Sequence, residues 1–367
     1  MTGTLLDALL EPNPTLNTSF ETSTRREGRT SSRKVEHYVK LRPSNIEVWE
    51  DFKFSTIISA YDHVLHTTID EPMRSPTRSE CNLFSKSSMS TIVSSWCKDR
   101  VNEGMKLAAR RIQRDLHQTP IEPSLRVGEI EIERNPGSLL QMTEYPAAYF
   151  KPDSYVHGIV KLHGGPMYLP IMIKPSSAWR SSMLLDETVG PKTALQPLRQ
   201  LGTYCKSCDV RIGLIITSEE AVAVRYYEIN TWEVGCQYMP VPWSNFGQQL
   251  TVNLTLWTCV MLSLNDRHHS IVPRPHLFPE IGTWLEEPGS GQTVYRHIYS
   301  GHYTRSFPRS ATVVEKGKGL QNLSGNGVSK RRVVDFTVGT NEDLWKHKHQ
   351  IKGGNYLELA ELRALYR

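Results

Sequence analysis

The chain has 367 residues, 38% of them hydrophobic and 22% charged, which allows one substantial core but not a chain packed throughout. A formal charge of +5 permits a polyanionic partner without demanding one, and a mean hydropathy of -0.41 suits a globular centre flanked by polar segments. No basic stretch followed by a long apolar run opens the chain, and the most apolar segment, 250–264, falls short of the roughly 20 residues a membrane span needs. The expectation is an intracellular protein, nuclear or cytoplasmic, with no membrane partner. Six scattered cysteines form no dense framework, which suits a reducing compartment. Cys205 and Cys208 make a CxxC, but no second pair follows at the spacing of a structural zinc site.

In chain order, residues 1 to about 45 are rich in Ser, Thr, Pro and Arg, as in 22–34, and no apolar period runs through them. Such a composition offsets little chain entropy, so a disordered segment is expected there. Between Ser90 and Leu116, Ile92, Val93, Trp96, Val101, Met105, Ala108, Ile112 and Leu116 recur at helical steps. The other face carries Lys98, Arg100, Lys106, Arg110, Arg111 and Arg114, and Pro120 with Pro123 ends the helix. Strand-like runs follow at 129–133, 155–162 and 168–174, the last two joined by a turn at His163 to Pro166. A helix is expected over 191–205, then a hairpin of 211–217 and 221–229 around Ser218 to Glu220, then a buried helix over 250–264. Beyond 265 the sequence turns polar and basic and offers no evident core, apart from an apolar stripe in 356–366 that suits a short terminal helix. Three divisions result: a disordered 1–45, a domain over 46–265 and a loop-rich extension over 266–367. The order helix, meander, helix, hairpin, helix points to an α/β fold with a mixed central sheet flanked by helices.

Asp153 stands near the start of one strand and Lys174 at the end of its neighbour, so the two can meet at one end of a sheet. A carboxylate can hold a hard divalent cation, and a lysine can orient or deprotonate an attacking water. Gln200 and Tyr204 lie one helical turn apart and share a face, where the tyrosine suits packing as well as a substrate contact. The histidines at 157, 163, 268, 269, 302, 347 and 349 form no ligand set and read as surface or turn residues. No P-loop, GxGxxG, GxSxG or HExxH occurs, which argues against the commonest nucleotide-binding, hydrolase and zinc-protease classes.

Pro152-Asp153, a hairpin, Lys174 and a helix bearing Gln200-x-x-x-Tyr204 together resemble the PD-(D/E)XK superfamily, in particular its RecB-type members. The stretch 197–205, the runs 211–217 and 221–225 and the helix from Leu250 are similar to the PD-(D/E)XK nuclease-like family of filamentous fungi. The resemblance spans about residues 75 to 265 and implies a restriction-endonuclease-like core with ancestral Mg²⁺-dependent hydrolysis of DNA or RNA. It assigns the metal to Asp153, the water or the developing charge to Lys174, and the substrate side to Gln200 and Tyr204. Two acids of the family pattern are replaced here: Met172 stands two residues before the lysine, and Val93 three residues before Trp96. Glu80 and Glu103 are the candidate substitutes for the helix acid. A thioether is a poor ligand for Mg²⁺, so the expected enzyme is weakened or inactive. The alternative is a non-catalytic module that binds nucleic acid or protein on the same fold.

Overall fold

A computed structural model describes residues 3–18, 38–69, 75–83, 86–118, 130–134, 140–141, 149–150, 157–162, 167–265, 268–273, 279–288, 293–304 and 312–315. In chain order the elements are β1 (Gly3–Thr4), α1 (Leu5–Leu9), β2 (Ile46–Val48), α2 (Phe54–Leu65), β3 (Thr68–Ile69), α3 (Lys86–Ile92) and α4 (Lys98–Gln118). Next come β4 (Ile130–Arg134), β5 (Leu140–Gln141), β6 (Tyr149–Phe150), β7 (His157–Leu162), β8 (Met167–Ile173), α5 (Pro191–Ser207), β9 (Ile212–Ile216), β10 (Glu220–Asn230), β11 (Glu233–Pro242) and α6 (Val252–Ser263). The described chain closes with β12 (Thr283–Pro288), β13 (Thr293–His297), β14 (Tyr303–Thr304) and β15 (Thr312–Glu315).

The main sheet runs β2-β11-β10-β9-β8-β7-β4 and is mixed. The β4-β7-β8 meander and the β9-β10-β11 meander are antiparallel, whereas β8 pairs parallel with β9 and β11 with β2. A parallel neighbour cannot be reached by a tight turn, and α5 supplies the crossover between β8 and β9. The chain is therefore mixed α/β, with a mixed sheet flanked by helices, as its element order implies.

Alternation along the strands divides the core into two layers. Leu169, Ile171 and Ile173 of β8 join a layer built with α1 to α4 and α6, while Met172 joins the layer of α5 with Leu198, Leu201 and Cys205. Residues of α6 are buried at every position, because the helix lies between α4 and the strands β8 to β10. Thr251 caps it, its Oγ1 accepting from Leu254 N at 3.1 Å. Against this helix, α4 presents Gly104, where an added Cβ would sit 2.8 Å from the Trp257 indole, so only glycine lets the two helices approach this closely.

Three expectations need correction. Leu5 and Leu9 of α1 are fully buried in the core, and a Thr4–Asp7 capping box starts the helix, so residues 3–18 do have an apolar face to dock. The rest of 1–45 that was read as disordered lies largely outside the described residues. Arg100, placed on the polar face of α4, is fully buried: its guanidinium lies 3.4 Å over the Trp96 ring and 2.5 Å from Glu11. A π-helical turn at Val93–Cys97 inserts an extra residue ahead of α4 and rotates the face that follows. The region after 265 has a core as well: β12 to β15 form a four-stranded sheet that buries Trp284, Leu285, His297 and Tyr299. The stripe at 356–366 lies outside the described residues.

Candidate functional site

β8 ends at Ile173, whose parallel partner is Ile216, and Lys174 N donates to Ile216 O at 3.0 Å, which carries the pairing one residue further. The side chain of Lys174 therefore leaves the sheet at the ends of β8 and β9, on the same face as Met172, two residues earlier. On that face lies α5. Its Gln200 accepts from Lys174 Nζ through Oε1 at 3.1 Å and donates from Nε2 to the Tyr204 hydroxyl at 2.7 Å. The helical spacing of four residues is what lets Gln200 and Tyr204 bond to each other.

Three of the four residues singled out in the sequence are thus brought into one hydrogen-bonded row, Lys174-Gln200-Tyr204. The fourth, Asp153, lies outside the described residues. The described register is informative, because His157 pairs with Met172 and so sets the start of β7 at the Lys174 end of β8.

Gln200 and Tyr204, which the resemblance assigns to the substrate side, are each only 3% exposed. Their bonds run inward along α5, and Lys174, which is half-buried, is the member of the row nearest to solvent. Gln200, backed by Tyr204, holds the Lys174 ammonium by a hydrogen bond. Gln200→Leu removes a bond partner from both an ammonium and a hydroxyl, and we expect it to cost about 1–3 kcal/mol in urea unfolding. A change under about 0.5 kcal/mol would mean that the row carries no stability.

Met172 is fully buried among Leu198, Leu201, Cys205 and Ile215. It offers no oxygen to a cation, and among the described residues no group of three His, Cys, Asp or Glu side chains could hold a metal. The described donors at Lys174 do not fit Mg²⁺. The candidate substitutes have local partners: Glu80 accepts from Thr77 N at 2.7 Å, and Glu103 pairs with Lys106 at 3.7 Å. Burial pushes the Cys205 thiol up and that of Cys208 up to about 12, so both are protonated at neutral pH and are poor metal ligands.

The sequence reading missed the polar cluster at the same end of the sheet. Glu220, which opens β10, accepts from Ser181 N at 2.5 Å and from Ser181 Oγ at 2.7 Å, and Ser218 Oγ donates to Ser176 Oγ at 2.9 Å. These bonds fasten the 3₁₀ turn Ser181–Leu184 over the strand ends between β8 and α5. The only sequence signal was Ser218 to Glu220, which reads as a plain turn. The histidine reading also changes, since His268 is buried and His302 stacks on His63.

No protein-family model, curated protein or solved structure matches the chain. Among the described residues, no helix is long and apolar enough to cross a membrane.

Proposed function

We propose that the chain is a PD-(D/E)XK nuclease-like domain with a restriction-endonuclease-like core, in which Mg²⁺-dependent hydrolysis of nucleic-acid phosphodiesters is weakened or lost. What remains is a nucleic-acid contact centred on Lys174. The observation that carries this reading is the buried Met172 beside the Lys174-Gln200-Tyr204 row, with a thioether in the apolar layer where the family pattern has an acid. An ammonium fixed at a sheet end by a buried amide can pair with a phosphate oxygen, and that contact requires no metal.

The test is a cleavage assay with Mg²⁺ and with Mn²⁺ on single- and double-stranded DNA and RNA, run beside binding measurements at several salt concentrations. Cleavage by the wild type should be slow or absent. Lys174→Ala should weaken binding across sequences and reduce the salt slope by about one phosphate contact. Robust Mg²⁺-dependent cleavage that Asp153→Ala abolishes would overturn the weakened site and keep the fold assignment. Cleavage that survives both Asp153→Ala and Lys174→Ala would sink the site. Binding unchanged by Lys174→Ala would favour the protein-binding alternative, for which Ile229 and Trp232, exposed at the turn of the β10-β11 hairpin, offer an apolar contact.

A further inference from the structure

The four-stranded sheet β12 to β15 meets the rest of the molecule across a cluster of imidazoles. His63, in the last turn of α2, stacks on His302 with ring centroids 3.8 Å apart and planes 9° apart. Both ring nitrogens of His63 are shielded from solvent and have no hydrogen-bond partner among the described residues. Behind this pair lies His297 of β13, fully buried, with one ring nitrogen 2.8 Å from Ser300 Oγ and the other 2.6 Å from Ile281 O. Trp284 meets His302 edge-on at 6.1 Å, and Tyr61 of α2 meets His297 edge-on at 5.4 Å. Elsewhere the region is held by Asn265, which donates to Ile298 O and Tyr299 O, by Asp51, which accepts from Ile281 N at 2.7 Å, and by Arg225 at the Tyr299 hydroxyl.

We propose that the docking of the β12 to β15 sheet onto α2 is an acid-sensitive joint, closed while His63, His302 and His297 are neutral and released as they protonate. Two imidazolium rings stacked face to face 3.8 Å apart out of water repel each other, and a protonated His63 finds no acceptor among the described residues. The groups nearest the cluster add positive charge or are neutral, namely Arg111 from α4, Arg296 from β13, Tyr61 from α2 and Tyr299 beside His297, while His268, Arg211, Arg225 and the acid Asp51 gather on the far side of Tyr299 and Ile281. Asp62, the acid next to His63 in sequence, is engaged at 3.0 Å by the exposed His66.

Burial, then the neighbouring His302, His297 and Arg111, push His63 down to about 2. Burial likewise pushes His297 down to about 4, against the opposing pull of its bond to Ile281 O. A histidine whose docked-state value is depressed below the ordinary value of about 6.5 leaves the joint intact above that pH and weakens it progressively below. Well below 6.5 each such group shifts the balance about tenfold per pH unit, which comes to about thirtyfold between pH 7.5 and 5 for His63 alone.

The experiment is hydrogen exchange on the full chain from pH 7.5 to 5, corrected for intrinsic rates, comparing 283–304 with the internal reference 252–263. In the wild type, opening of 283–304 should rise at least about thirtyfold toward pH 5 while 252–263 stays protected. His63→Phe keeps a stacked ring without a titrating group and should remove about that much of the rise. Equal opening of the two segments, or an unchanged rise in His63→Phe, would overturn the joint. Should His63→Phe fail to fold, NMR titration of the wild-type His63 ring decides: a value well below 6.5 supports the proposal, and a value near it refutes it.

Discussion

Trp257→Ala should cost about 3–5 kcal/mol, the range for removing a large aromatic side chain from a core that cannot collapse around the gap. Collapse is prevented from several sides. The indole is fully buried, Gly104 of α4 lies against one edge, and the Tyr61 ring meets it edge-on at 5.3 Å. Because Tyr61 also touches His297, the cavity would loosen both the α4-α6 contact and the seat of the C-terminal sheet. Urea unfolding by far-UV circular dichroism measures the loss, and a cost under about 1.5 kcal/mol would show that α6 is not the pivot of the larger core layer.

How much of this could be read from the sequence depends on which residues announce themselves. The helix at 252–263 was legible because a short stretch that is apolar on all sides has to be buried, and β8, α5, β9 and β10 were legible from their runs and turn residues. β11 was not. Its Gly235, Gln237, Pro240 and Pro242 argue against a strand, yet the ten-residue register with β10 overrides them, and Gly235 is required because a Cβ there would overlap the Tyr227 ring. The small sheet was hidden for a different reason. Its interior includes Thr283, Arg296, His297 and Ser300, polar residues whose burial no apolar period announces. At the candidate site, the helical spacing and shared face of Gln200 and Tyr204 were visible, whereas their bond to Lys174 was not. Nor was their burial, since it follows from the packing of α5 on the sheet.

The same packing decides what an acid at position 172 would do. In the family pattern a carboxylate two residues before Lys174 would face a metal, and in the sequence alone Met172→Glu reads as the repair of a lost ligand. In the fold, position 172 is fully buried in the apolar layer with Leu198, Leu201 and Cys205, so the new carboxyl enters without water. Burial raises a carboxyl's value, by about 3–5 units in the fully buried limit, equivalent to roughly 4–7 kcal/mol lost at neutral pH when the group must ionise or stay protonated against solution. The sign follows from the direction. A group whose folded-state value is raised costs least below its unfolded value near 4.3 and progressively more as pH rises toward the folded value. Met172→Glu should therefore unfold at much lower urea than the wild type at pH 8 and regain part of the difference at pH 5, whereas Met172→Leu, which keeps the volume and adds no charge, should cost under about 1.5 kcal/mol at both. Isothermal titration with Mg²⁺ supplies the opposing outcome: a Met172→Glu protein as stable as the wild type at pH 8 that gains Mg²⁺ binding would show that Lys174 can draw the new acid out of the apolar layer to a metal.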